Sequence, residues 1–355
     1  MTLEVFAVRA WVGLLSLVLF WVVPVCFTSA YHKAEGGSAV ALKALAFYNG
    51  LDERAGGFGY LERYGSLLTY LAVFQIGIES NGQLNGRVSP VLIQEAHHMG
   101  VKVLPVFSNI GRQGQFSVPV LSRLMRDSAF SDLVWQNIRN SVLSMHCYGV
   151  NLDLERARSE DRALFTRFLN DWGQRFQREK LAVTLNVPAK TSDEPQKAWS
   201  GVFDYTSISQ NMNAVIVMAY EEHWPGSPPG SVASLPWVTA VVDYALENMP
   251  ADKIFLGLGL YGYDWSERGG ARALSYRRAL EIAGRYRAPL HWDAQQHSTY
   301  FTYETTGVRH TVYFEDPRST GEKLDLAQDR GLAGVAIWDL DLSYPEFWEV
   351  LRRYV

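Results

Sequence analysis

Eight short runs of apolar and β-branched residues recur along the chain, and most of the intervals between them carry helical periodicity. This alternation constrains the fold more than any other feature, because strands regularly separated by helices build a parallel α/β architecture. The runs are ALKALAFY at residues 41–48, YLAVFQIGI at 70–78, VKVLPVF at 101–107, GVNLDLE at 149–155, LAVTLNV at 181–187, AVIVMAY at 214–220, KIFLGLGLY at 253–261 and LAGVAIW at 332–338. Helical segments are expected at residues 119–145, 162–177 and 345–354, and Gly100 stands where a helix before the third strand would stop. Eight units of this kind predict a (β/α)8 TIM barrel, and 355 residues suit one such barrel with insertions. A single barrel domain is therefore expected over residues 34–355.

Two connections are long. Residues 221–235 are rich in Pro, Gly and Trp and read as a shaped loop. The stretch 265–317 contains a helix-like piece at 273–286 and two aromatic runs, 300–303 and 311–314. It predicts a small α+β insertion in the seventh strand–helix connection, at the end of the barrel where active sites are built.

A net charge of −4 without a basic cluster argues against a nucleic-acid partner. Only two cysteines, Cys26 and Cys147, are present, so no disulfide framework is legible, and Cys147 reads as a small buried apolar residue. The histidines His97, His98, His223, His291, His297 and His310 follow no metal-ligand spacing, and neither a metal nor another cofactor is expected. Residues 10–30 carry no charge and Arg9 precedes them. That length serves as a membrane span or as a signal-peptide core ending near Thr28-Ser29-Ala30. Residues 1–33 are thus expected to be a signal peptide or N-terminal anchor. An extracytoplasmic location follows, either secreted or held at a membrane, and a monomer is expected.

The segment YGVNLDLE at residues 148–155 bears the chemistry. Residues two apart on a strand share a face, so Asn151, Asp153 and Glu155 point one way and Val150, Leu152 and Leu154 the other. The apolar face suits packing against helices, which turns the polar face into the barrel. Two neighbouring carboxyls in a buried setting resist ionising together, so one is expected to stay protonated. A neutral carboxylic acid near neutral pH is what protonation of a glycosidic oxygen requires. Glu155, at the strand end, is the expected acid. Met218-Ala-Tyr220-Glu221 ends the sixth run, and Ile337-Trp338-Asp339 ends the eighth with a flat apolar ring.

YGVNLDLE resembles the D-x-x-D-x-D-x-E signature of family 18 glycoside hydrolases, the chitinase-like barrels, with the terminal D-x-E intact as Asp153 and Glu155. Met218-Ala-Tyr220-Glu221 resembles that family's M-x-Y-D segment, and Trp338 its eighth-strand tryptophan. The strings MAYEEHWPGSPPGSVASLPW and GLGLYGYDW, with the tail from Tyr300, look most like the bacterial spore-cortex branch. The similarity extends from Leu42 to Val355.

The resemblance implies a retaining, substrate-assisted reaction on a polymer of N-acetylglucosamine, peptidoglycan in preference to chitin. Glu155 would protonate the leaving oxygen, and the substrate's acetamido group would attack C1 to give an oxazolinium ion. Asp153 would hold the acetamido N–H, and Tyr220 its oxygen. Three positions depart from the signature: Tyr148 and Asn151 replace its first two aspartates, and Glu221 is one methylene longer than the usual aspartate. These departures leave open an inactive lectin that binds amino-sugar polymers, although such barrels typically lose the terminal glutamate. Asn151, Glu221 and Trp338 are expected substrate contacts. Asn186, Tyr48, Trp224 and Tyr261, near other strand ends, are further candidates because aromatic faces cover sugar faces and polar groups take hydroxyls.

Overall fold

The computed structural model describes residues 41–54, 56–111 and 113–355. The apolar segment at residues 10–30, and with it the choice between signal peptide and anchor, lies outside them. Among the described residues no helix is long and apolar enough to cross a membrane.

Eight parallel strands close on themselves. In chain order they are β1 (Lys43–Asn49), β2 (Tyr70–Ile78), β3 (Lys102–Ser108), β4 (Gly149–Asp153), β5 (Ala182–Pro188), β6 (Ala214–Met218), β7 (Ile254–Gly259) and β8 (Gly334–Trp338). Each pairs with the next, and β8 pairs with β1 through Lys43↔Gly334 to Ala46↔Ile337. The expected barrel is therefore present, and β4 and β8 stand opposite one another across it.

The period-two alternation sorts side chains as the pattern of β4 anticipated. Val150, Leu152 and Leu154 join the large core between sheet and helices, with Trp172, Phe165 and Phe176 from the helix Arg162–Arg178. Asn151 and Asp153, both buried, face inward. The interior is apolar on β1, β3, β6 and β7, where Leu45, Phe47, Leu104, Val106, Ile216 and Phe255 form a compact cluster. It is polar along β4 and β5.

Several element boundaries differ from the sequence reading, three of them beyond a shift of a strand or helix end. The helical stretch at 119–145 is two helices, Val118–Arg126 and Ser128–Ser144. Asp127 divides them in extended backbone and caps the second, its Oδ1 accepting from the Phe130 amide at 3.0 Å. The insertion begins at Tyr261 rather than near residue 265. The Leu260 amide donates to the Trp338 carbonyl at 2.9 Å, and Tyr261–Ser266 then turns into a separate antiparallel sheet with Ala271–Ser275, Val308–Phe314, Ser298–Thr305 and His291–Asp293. The helix there starts at Tyr276, behind its Ser275 cap.

Candidate active site

β4 ends in a ladder of hydrogen bonds climbing from the barrel interior to its mouth. Thr184 Oγ1 donates to the Val150 carbonyl at 3.2 Å, and Asn151 Nδ2 donates to Thr184 Oγ1 at 2.9 Å and to Asn186 Oδ1 at 3.0 Å. Asn186 Nδ2 in turn donates to Asp153 Oδ1 at 3.1 Å. The register Asn151↔Thr184 of β4 and β5 sets this zigzag, since it brings the inward residues of two strands to the same level. Buried amides and a buried carboxyl are tolerable here because nearly every polar atom is partnered. Asn151 Oδ1 has no partner among the described residues.

Glu155 lies two residues past the last ladder pair of β4. Its main chain is held instead by the buried Asn109, just beyond β3, which accepts from the Glu155 amide at 3.0 Å and donates to the Glu155 carbonyl at 2.9 Å. Burial raises the Asp153 carboxyl to about 6. Burial first, and then the adjacent Asp153, raise the Glu155 carboxyl to about 7, against smaller opposing pulls from a Trp199 hydrogen bond and the Arg156 charge. Burial and the adjacent carboxyl both favour the protonated form of Glu155 close to neutral pH.

Tyr220 faces this pair from β6. Its ring rests against β7 where Gly257 and Gly259 carry no side chain: a Cβ on Gly257 would lie 3.2 Å from Tyr220 Cε1, and one on Gly259 3.3 Å from Tyr220 Cβ. Burial, followed by the charges of Asp153, Glu155, Glu221 and Asp339, pushes its phenol well above the ordinary value and favours its neutral form. Glu221 follows with φ 68°, a left-handed conformation that costs a non-glycine residue about 1 kcal/mol or more. Two phenols fix its carboxylate: Tyr261 and Tyr263 both donate to Glu221 Oε1, the latter at 2.7 Å. Arg156, directly after Glu155, is likewise left-handed at φ 65°.

Across the mouth from Glu155, Trp338 ends β8. Phe47 and Phe74 meet its ring edge-on, with centroids 5.4 and 5.2 Å away, and hold it as an apolar floor. A cavity of about 570 Å³ runs over it, lined among others by Glu221, Tyr261, Tyr263 and Leu342. Asp339 beside it is raised to about 6, mainly by burial.

The structure brings Asn151, Asp153, Glu155, Asn186, Tyr220, Glu221, Tyr261 and Trp338 together at one barrel mouth. It does not bring Tyr48 there. Alternation on β1 sends Phe47 inward and Tyr48 outward into the helix-facing core, where it is fully buried and donates to the Asp52 carbonyl at 2.6 Å. Trp224 is half-exposed in the β6 loop, folded over Gly226. Tyr148, at the signature's first position, lies at the opposite end of β4, where Lys102 Nζ sits 4.6 Å from its ring centroid. Sequence reasoning missed Asn109, Thr184, Trp199 and Tyr263. Of these, Tyr263 lay within the GLGLYGYDW string, two residues from Tyr261 and so on its strand face.

The arrangement can protonate an oxygen above an apolar floor, beside a fixed phenol donor and a fixed carboxylate. Comparison with known proteins agrees. The profile of Glycosyl hydrolases family 18 matches residues 47–342. The Cortical fragment-lytic enzyme of Bacillus anthracis is 31% identical over 291 residues, spanning 80% of this chain and 67% of that protein. The spore cortex-lytic enzyme SleL of Bacillus cereus superposes with a TM-score of 0.84 at 26% identity, over 90% of this chain and 75% of that one. A chitinase from Chromobacterium violaceum gives 0.82 at 27% identity, over 88% and 98%. A family profile that spans the barrel from β1 past β8, over the strand end that bears Asp153 and Glu155, makes this chain a glycoside hydrolase of family 18.

Proposed function

We propose that the enzyme cleaves β-1,4 bonds after N-acetylglucosamine in peptidoglycan, with spore cortex or its fragments as the preferred polymer. The observation that carries this reading is the Asp153–Glu155 pair, its aspartate buried and its glutamate partly so, facing Tyr220, because an acid, a neighbouring carboxyl and a phenol are the three groups that an acetamido-assisted reaction uses. Glu155 donates its proton to the glycosidic oxygen as the bond to C1 breaks. The substrate's acetamido carbonyl closes on C1, giving an oxazolinium ion and retention of configuration. Asp153 accepts the acetamido N–H and offsets the developing positive charge, while Tyr220 donates to the acetamido oxygen. Glu155, now a carboxylate, takes a proton from the water that opens the ring. A second catalytic carboxylate on the opposite face of the sugar is not needed for such a reaction, because the substrate supplies the nucleophile.

Peptidoglycan is preferred over chitin because the cortex-lytic relatives are similar over most of the barrel. The uncharged stretch at residues 10–30 supports an extracytoplasmic location, as secreted protein or membrane-held enzyme. The retained acid disfavours the lectin alternative.

The test is digestion of purified cortex peptidoglycan and of chitin oligomers by the full chain, with mass spectrometry of the products. N-acetylglucosamine-ended fragments from peptidoglycan, absent with Glu155→Gln, are expected. Binding without cleavage of either polymer would refute the reading.

A further inference from the structure

We propose that the cavity beyond Glu155 is a leaving-group subsite for a sugar bearing a carboxylate, and that Arg156 and Arg158 select that sugar. The proposal rests on the reading of the chain as a peptidoglycan-cleaving enzyme. The cavity measures about 630 Å³ and is lined among others by Glu155, Arg156, Arg158, Glu160 and Trp199. It shares no lining residue with the cavity over Trp338, and the β4 and β8 ends that bear the two stand on opposite sides of the barrel mouth.

An acid that protonates a glycosidic oxygen sits between the sugar it keeps and the sugar it releases. With the retained sugar on the Trp338 floor, the released one falls into the cavity beyond Glu155. Trp199 forms one wall. It lines the cavity beside Glu155, and the residue is 45% exposed, its ring open to cover a sugar face.

The charges there are unspent. Arg156 has no ion-pair partner among the described residues, and Arg158 only Glu160 at 3.9 Å, with both side chains about two-thirds exposed. With Glu155 protonated, two guanidiniums face one carboxylate, a positive pocket on a chain of net charge −4. An unpaired cation beside a general acid favours its ionised form and so works against proton donation. A bound carboxylate removes that conflict by pairing with Arg156. Chitin offers no carboxylate, whereas muramic sugars of peptidoglycan carry a lactyl ether that can end in a carboxylate or in a peptide.

The experiment compares kcat/KM on three tetrasaccharides of equal length: a chitin oligomer, an alternating oligomer with free lactyl carboxylates, and one with lactyl-alanine. Methyl esters of the last two complete the set. Each is tested on the full chain and on Arg156→Ala, Arg158→Ala and the double variant. The wild type is expected to prefer a carboxylate substrate over its ester by roughly tenfold to a hundredfold, a preference that shrinks to about unity in the double variant. Whichever acid shows the larger ester penalty, lactyl or alanyl, identifies the carboxylate recognised. Equal ester penalties in wild type and double variant would overturn the subsite while leaving the enzymatic reading intact. No cleavage of any oligomer by the wild type would overturn both.

Discussion

Asn109 grips the main chain of Glu155 from both sides, its carboxamide oxygen 3.0 Å from the Glu155 amide and its nitrogen 2.9 Å from the Glu155 carbonyl. The grip stands in for strand pairing, because β4 is hydrogen-bonded only as far as Asp153, which pairs with Ser108. A third bond, to the Ser117 carbonyl at 3.2 Å, ties Asn109 to the start of the following helix.

Replacing Asn109 therefore loosens the acid without touching substrate. Asn109→Ala strands a buried amide and a buried carbonyl, which costs about 2–4 kcal/mol of stability. Misplacement of the acid by a fraction of an ångström is expected to lower kcat by roughly tenfold to a hundredfold, with KM changed by less than about threefold. Urea unfolding and steady-state kinetics check both halves. An unchanged kcat in a destabilised variant would show that the acid does not depend on this clamp.

That clamp was not legible in the sequence, and the reason is physical. The D-x-E face of β4 could be read because a strand's period of two is rigid, so Asp153 and Glu155 had to share a side. Asn109 belongs to a different strand end, 46 residues away, and its partnership depends on the closed order of the barrel. Trp199 is equally remote, in the loop after β5. Tyr48 shows the opposite failure: a strand-end aromatic looked available, yet alternation on β1 had already assigned the inward position to Phe47. Strand ends locate a barrel's mouth, but register decides which end residue faces it.

Burial of Glu155 places function and stability in opposition. Its carboxyl rises from an ordinary value near 4.5 to about 7, so between those pH values the folded chain holds a proton that the unfolded chain has lost. Stability therefore falls as pH rises through that window and levels off above it. Glu155→Gln removes the effect along with the proton donor. The variant is expected to be inactive, no more stable than wild type at pH 4, and more stable at pH 8 by at most about 3 kcal/mol. Thermal unfolding at the two pH values measures this. A stabilisation equal at both would mean that charge burial is not its cause.

The same coupling governs the pH–rate profile. The proposed mechanism needs protonated Glu155, so kcat/KM should fall above about pH 7, with a slope that belongs to the Asp153–Glu155 pair as a unit. Asp153→Asn removes a negative charge that helps hold the Glu155 proton. Residual activity in that variant is expected to lose its basic limb at lower pH than wild type, in addition to a fall in kcat. A limb that stays in place would mean that burial alone, without Asp153, sets the acid.

Tyr220 offers the sharpest test of the acetamido contact, because its hydroxyl can be deleted without disturbing packing. The ring lies in the space left by Gly257 and Gly259, and phenylalanine fills that space equally well. Burial first, and then the surrounding carboxyls, push the phenol well above its ordinary value, so the group removed is a neutral hydroxyl and not a charge. A donor that tightens only as the acetamido oxygen swings toward C1 contributes to the transition state more than to binding. Tyr220→Phe should fold with an unfolding midpoint close to wild type and lose roughly a hundredfold to a thousandfold in kcat, with KM within about threefold. Steady-state kinetics on an N-acetylglucosamine oligomer separate the two parameters. A rise in KM at unchanged kcat would mean that Tyr220 only binds, and the substrate's acetamido group would then need another donor to aim it.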